Sequence, residues 1–182
     1  MKKERTRKMI LCALFAALVA VGAFIRIPMP MVPNTMQFLF VMLAGIFLGG
    51  AGGLTAMLVY IIVGLVGIPV FTGGGGLGYV LKPTFGYIIG FAAGAFAAGK
   101  ISEGAEKPGL GRLLAADFTC MGAVYLSGTL YFYLISVFYL EKPIALTPLL
   151  INCVFLTAPG DAVMCVLAAL LGKRVIPLIR RL

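Results

Sequence analysis

The sequence contains no histidine, no tryptophan and little charge: 15 Lys and Arg with 6 Asp and Glu in 182 residues, or 12%. A soluble domain carries about 25% charged residues, so this chain lacks the polar surface to coat a water-facing globule. Cysteine is also sparse, at Cys12, Cys120, Cys153 and Cys165, and none lies in a CxxC or comparable ligand spacing. With no His to complete an HExxH, the sequence offers no metal site and no histidine-based catalysis. No cofactor is expected, and the cysteines read as small packing residues.

What is abundant is apolar: 62% hydrophobic residues and 24 Gly, with a mean hydropathy of +1.09. The chain therefore reads as an all-α, polytopic integral membrane protein. A spanning helix needs roughly 20 mostly apolar residues. Met9 to Ile25 is charge-free and is followed by Arg26, Pro28, Pro30 and Pro33, which end it. Met36 to Gly49 and Leu54 to Ile68 are shorter runs, split by Gly49, Gly50, Gly52 and Gly53 as a tight turn between antiparallel spans. Pro83 to Ile101 and Leu113 to Phe138 supply two more. The stretch Leu146 to Ile179 is too long for one crossing, and Pro159-Gly160 is expected to divide it into a short buried or re-entrant piece and a final span. Six transmembrane helices in one domain, 1–182, result.

Lys and Arg set the orientation, because cytoplasmic segments are enriched in them. Residues 1–8 hold Lys2, Lys3, Arg5, Arg7 and Lys8; the loop 100–112 holds Lys100, Lys107 and Arg112; the tail 172–182 holds Lys173, Arg174, Arg180 and Arg181. Six spans bring all of these to one side and place both basic termini in the cytoplasm. The formal charge of +9 is then a topology signal. It lacks the interleaved stacking aromatics of a nucleic-acid surface. The first 25 residues also lack a small-x-small cleavage site, so span one is expected to stay attached.

Ionisable groups at membrane depth are costly unless paired or facing water, so each needs a reason. Asp117 is expected to pair with Arg112 near the cytoplasmic end of span five. Arg26 can snorkel at the outer interface or hold a ligand. Thr157-Ala158-Pro159-Gly160-Asp161 reads as a helix start, with an acid in the first turn that suits the helix dipole and faces a cavity. Lys82-Pro83-Thr84 has the same form, but a cation before a helix N-terminus is unfavourable and calls for an anionic partner, either Asp161 or a bound carboxylate. Both starts face outward, beside two loops that carry Asn34, Gln37, Phe71 and Tyr79. Helix N-termini lining a cavity are how membrane proteins bind polar solutes.

Two other patterns are weighed here. Gly73 to Gly78 matches G-x-G-x-x-G but follows a transmembrane span and lacks the ribose-binding acid, so no dinucleotide site is expected. Small-xxx-small spacings occur at Gly45/Gly49, at Gly86/Gly90/Gly94, and at Ala13/Ala17 interleaved with Ala16/Ala20. In lipid they let helix backbones approach closely, within the chain or against a partner protein.

The segments Ile27-Pro28-Met29-Pro30-Met31-Val32-Pro33-Asn34-Thr35-Met36-Gln37, Gly67-Ile68-Pro69-Val70-Phe71, Pro83-Thr84-Phe85-Gly86-Tyr87-Ile88-Ile89-Gly90-Phe91 and Pro159-Gly160-Asp161 resemble the BioY family, over nearly the whole chain. These are the biotin-binding S components of energy-coupling factor (ECF) vitamin transporters. The resemblance implies a six-helix protein of the cell membrane that captures biotin from outside, under the loop joining spans one and two. It implies association with a membrane coupling protein and two cytoplasmic ATPases, with Ala13 and Ala17 matching the family's Ala-x-x-x-Ala contact motif. It also implies uptake in which the subunit topples in the membrane, driven by the partners' ATP hydrolysis. Asp161 suits the ureido N–H donors of biotin, Lys82 or Arg26 its carboxylate, and Phe71, Tyr79 or Tyr87 its apolar body.

The match departs from the family pattern at two places. Pro-Gly-Asp is usually followed three residues later by Lys, here Met164, and the residue before Pro-Thr is commonly Gly, here Lys82. Lys82 is therefore expected to replace the missing cation. Three other readings stay open: an S component for another small vitamin, a self-sufficient small-solute carrier, and a membrane enzyme. The last would want clustered acids or a His, which the chain lacks.

Overall fold

A computed structural model describes residues 2–105 and 107–179, with the side chains of Lys2, Lys3, Leu178 and Ile179 not included. Arg180 and Arg181, half of the expected basic tail, lie outside the described residues. The helices are α1 (Lys2–Gly22), α2 (Gln37–Leu65), α3 (Phe85–Glu103), α4 (Leu110–Leu134), α5 (Leu146–Leu150) and α6 (Ala158–Ile179). Among the described residues, four helical segments are long and apolar enough to cross a membrane: Gln37–Leu65, Phe85–Glu103, Leu110–Tyr139 and Leu146–Pro177. Helix α1 has comparable length, 21 residues, and begins within the basic segment. The all-α membrane architecture therefore holds.

Helix α2 is two helices joined at Gly49, whose φ of 76° and ψ of 177° no helix accommodates. The chain reverses there. A Cβ placed on Gly53 would lie 2.9 Å from the Cα of Gly45, whereas residues eight apart on a continuous helix are about 12 Å apart. The glycine cluster thus makes the expected turn between antiparallel helices. Its new N-terminus is capped from outside: Glu103 Oε1 accepts the Gly50 N–H at 2.7 Å, and Glu103 Oε2 pairs with Lys100 at 3.2 Å.

The last stretch differs from expectation. After α5 the chain makes a π-helical turn, Ile151–Phe155, then resumes as α6 just before Pro159. The ring of Pro159 would clash with the carbonyl of Phe155 in a regular helix, and the widened turn sits where that clash would fall. The short piece is not re-entrant, because α4 packs in succession against α5, the π turn and α6. The 32 residues from Leu146 to Pro177 reach about 48 Å at 1.5 Å per residue, more than a ~30 Å hydrocarbon core.

Further sequence expectations meet the structure. The Pro-rich segment is a small antiparallel ribbon, β1 (Arg26–Ile27) with β2 (Asn34–Thr35), in which Ile27 faces Asn34. Asp117 does not pair with Arg112. The two are five residues apart, about 140° around the helix; Arg112 Nε donates to Ile101 O at 2.6 Å while Asp117 is fully buried without a hydrogen-bond partner among the described residues. All four cysteines are buried and free. Gly86, Gly90 and Gly94 lie against Tyr131, Ser127 and Cys120 of α4, so that ladder packs within the chain. The Ala ladder divides: Ala16 is buried and Ala20 half-buried, whereas Ala13 and Ala17 are exposed.

Candidate functional site

Helices α2, α3, α4 and α6 converge beneath the β1–β2 ribbon and the Gly-rich loop, and a cavity of about 60 Å³ opens there. Its polar end is the start of α6. Asp161 is 7% exposed, and its Oδ2 accepts the Tyr125 hydroxyl at 2.6 Å. The same hydroxyl lies 3.1 Å from Thr157 Oγ1. Asn34 Nδ2 donates to Thr157 O at 3.3 Å, which draws the ribbon onto the π turn and α6. Gly160 makes that approach possible, because a Cβ there would stand 2.8 Å from Asn34 Nδ2. Asn34 Oδ1 is buried with no donor among the described residues. A carboxylate and an amide oxygen therefore share one wall, both hydrogen-bond acceptors.

The opposite walls are aromatic and apolar. Tyr87 lines the cavity with its ring and turns its hydroxyl to Cys153 O at 3.2 Å. Tyr79 and Phe91 line it too, as do Thr72 and Thr84. Gln37 sits at the rim of a second network: its Nε2 donates to the Tyr60 hydroxyl at 2.6 Å, and Thr35 Oγ1 donates to Gln37 Oε1 at 3.3 Å. Tyr60 in turn donates to Val70 O at 3.1 Å. These bonds hold the first turn of α2 to the loop.

Of the residues singled out from sequence, Asn34, Gln37, Tyr79, Thr84, Tyr87 and Asp161 meet at the cavity. Phe71 is placed behind it, buried between Tyr60 and Tyr79 with ring centroids 5.4 and 4.6 Å away. Arg26 and Lys82 lie outside the cavity wall, exposed. Arg26 Nη1 donates to Thr72 O at 2.8 Å and Lys82 Nζ to Gly73 O at 2.8 Å, with the Lys82 ammonium 4.7 Å from the centre of the Tyr79 ring. Lys82 does not pair with Asp161. Two cations instead grip adjacent carbonyls of the Gly-rich loop from two sides. Sequence reasoning missed Tyr125 and Thr157. Thr157 stands in the same short motif as Asp161; Tyr125 is a hydroxyl in an otherwise apolar part of span five, a signal without a register to direct it.

A bundle of apolar helices around a carboxylate-bearing, aromatic-walled cavity defines a multi-pass membrane protein with a candidate polar-solute site at one end. The comparisons agree with that class and narrow it. The chain belongs to the BioY family, whose model matches residues 1–181. It is 39% identical over 180 residues to a probable biotin transporter BioY of Lysinibacillus sphaericus, covering 99% of this chain and 92% of that protein. It is 36% identical to the biotin transporter BioY of Rhizobium etli, with 93% of each chain covered. Its fold matches the crystal structure of an S-component for biotin from an ECF-type ABC transporter, with a TM-score of 0.81, 24% identity, and 96% and 93% of the two chains covered.

Proposed function

We propose that this chain is the substrate-binding subunit, or S component, of an ECF-type vitamin transporter, and that it captures biotin from the extracellular side without catalysis of its own. The observation that carries this reading is the pairing of Asp161 with the unpartnered Asn34 Oδ1 on one wall of an aromatic cavity. Biotin offers two ureido N–H donors that such acceptors suit, an apolar bicycle for Tyr79, Tyr87 and Phe91, and a carboxylate tail. A tail leaving past Thr72 meets Lys82 and Arg26, which can exchange loop carbonyls for a carboxylate.

In this reading the chain is one transmembrane domain with six crossings: α1, the two halves of α2, α3, α4, and the α5–α6 segment. Both termini lie in the cytoplasm, where Lys and Arg concentrate. Energy comes from two cytoplasmic ATPases by way of a membrane coupling protein, which docks on the exposed Ala13 and Ala17 of α1. Thermal unfolding of the purified protein with a panel of vitamins tests the ligand. Binding to the folded state alone raises stability: biotin raises the midpoint and other vitamins do not. No shift with biotin overturns the reading, and a shift with another vitamin reassigns the ligand.

A further inference from the structure

The polar wall of the Asp161 cavity is unbalanced in hydrogen bonding. The Tyr125 hydroxyl donates to Asp161 Oδ2 at 2.6 Å, and the Thr157 hydroxyl donates back to Val154 O at 3.2 Å. Asn34 Nδ2 donates to Thr157 O at 3.3 Å and also lies within reach of the Asp161 carboxylate. Only an N–H can face the Thr157 carbonyl, so the amide is oriented. Its Oδ1 is then a buried acceptor with no donor among the described residues. The side-chain donors of this wall are spent, and what it offers a ligand is acceptors: Asn34 Oδ1 and the remaining lone pairs of Asp161.

The wall is unbalanced in charge as well. Asp161 is 7% exposed and pairs with no Lys or Arg among the described residues; Arg26 and Lys82 donate to Thr72 O and Gly73 O instead. Three residues beyond Asp161, on the face where a long cationic side chain would reach it, stands the half-buried, apolar Met164. A buried carboxylate without a counter-ion is costly. A ligand that carries a cation to it is therefore favoured over a neutral one that makes the same bonds. Resting on the reading of this cavity as a biotin site, we propose that its polar wall takes a cyclic guanidinium in preference to a cyclic urea, with Asp161 and Asn34 Oδ1 as the acceptors. The corresponding ligand is 2-iminobiotin, in which a third nitrogen replaces the ureido oxygen. A urea turns a carbonyl oxygen toward part of its surroundings; a guanidinium is planar, presents donors throughout and matches a carboxylate in two-pronged fashion. The rings of Tyr87 and Phe91 that line the cavity add faces that attract a delocalised cation.

The two ligands share the same tail and apolar ring, so titration calorimetry on the purified full chain compares the head groups alone. At pH 7 a ring guanidine holds its proton, as that of Arg does. 2-Iminobiotin is expected to bind roughly tenfold tighter than biotin, the order of gain from charging the donor of a hydrogen bond to a buried carboxylate. Asp161→Asn should cost 2-iminobiotin more than biotin and erase the preference. Met164→Lys brings an ammonium to the acid and should reverse it, whereas the neutral Met164→Gln should keep it; if Met164→Lys does not fold, Asp161→Asn alone decides. Biotin bound with 2-iminobiotin equal or weaker on the wild type overturns the proposal and leaves the biotin reading intact. A preference that survives Asp161→Asn also overturns it. Binding of neither ligand overturns both, and binding of 2-iminobiotin without biotin keeps the guanidinium assignment while removing the biotin reading.

Discussion

The Tyr125 hydroxyl, on α4, donates a 2.6 Å hydrogen bond to the Asp161 carboxylate, on α6. Thr157, one turn earlier, lies 3.1 Å from the same hydroxyl, so Tyr125 fixes how the acid faces the cavity. A buried carboxylate held in one orientation can accept from a ligand without first being reorganised, which lowers the cost of binding.

Asp161→Asn should weaken biotin binding at least tenfold, because a hydrogen bond to a charged group contributes about 1.5–3 kcal/mol. Tyr125→Phe should cost less, a few-fold, since it frees the carboxylate without removing it. Titration calorimetry on both variants checks the order. Full-strength binding by Asp161→Asn would remove this residue from the site.

Lys82→Gln combined with Arg26→Gln removes both grips on the loop carbonyls of Gly73 and Thr72. The expected result is faster amide hydrogen exchange across Gly73–Gly76 together with weaker biotin binding. If affinity falls while exchange stays unchanged, the cations act on the ligand carboxylate alone. If neither changes, Lys82 has no part in capture.

At the turn inside α2, Gly49→Ala puts a Cβ into the Glu103 side chain at a backbone geometry that L side chains rarely adopt. Strain of this kind costs of order 1–3 kcal/mol. Glu103→Gln weakens the cap on Gly50 and the pair with Lys100, and caps contribute roughly 0.5–2 kcal/mol. Both variants should lower the thermal midpoint in detergent, Gly49→Ala the more, with biotin affinity of the folded fraction unaltered.

On α1, Ala13→Leu with Ala17→Leu adds bulk to an exposed face and should abolish co-purification with a coupling module while sparing biotin binding. Ala16→Leu points the other way, into packed neighbours, and overpacking typically costs 1–3 kcal/mol. It should reduce stability first. Retained complex formation by the double variant would place the partner face elsewhere.

Much of this was legible residue by residue. Composition alone requires a bilayer and the glycines at 49–53 mark a reversal, whereas α1 ends at Gly22, ahead of the prolines at 28, 30 and 33 that were expected to end it. A carboxylate at 161 in an apolar stretch marks a candidate site because lipid penalises it, and the structure puts it on a cavity wall. What could not be read is who meets whom. Asp117 and Arg112 are near in sequence yet on opposite faces of α4, whereas Asn34 and Thr157 are 123 residues apart and bonded. Lys82 was expected to call for an anionic partner, Asp161 or a bound carboxylate; in the structure it does not meet Asp161 and donates to the carbonyl of Gly73.

The sequence by itself determined the solvent, the helical class, the turns and the scarce polar groups, because hydropathy, proline and glycine act locally on the chain. Only the tertiary structure decided that Tyr125 meets Asp161, that Phe71 lies behind Tyr79, and that Ala13 faces out while Ala16 faces in. Those outcomes depend on the rotation and axial register of each helix. Register is set by close packing, as where Gly94 admits Cys120 and Gly160 admits Asn34, and no single helix contains that information.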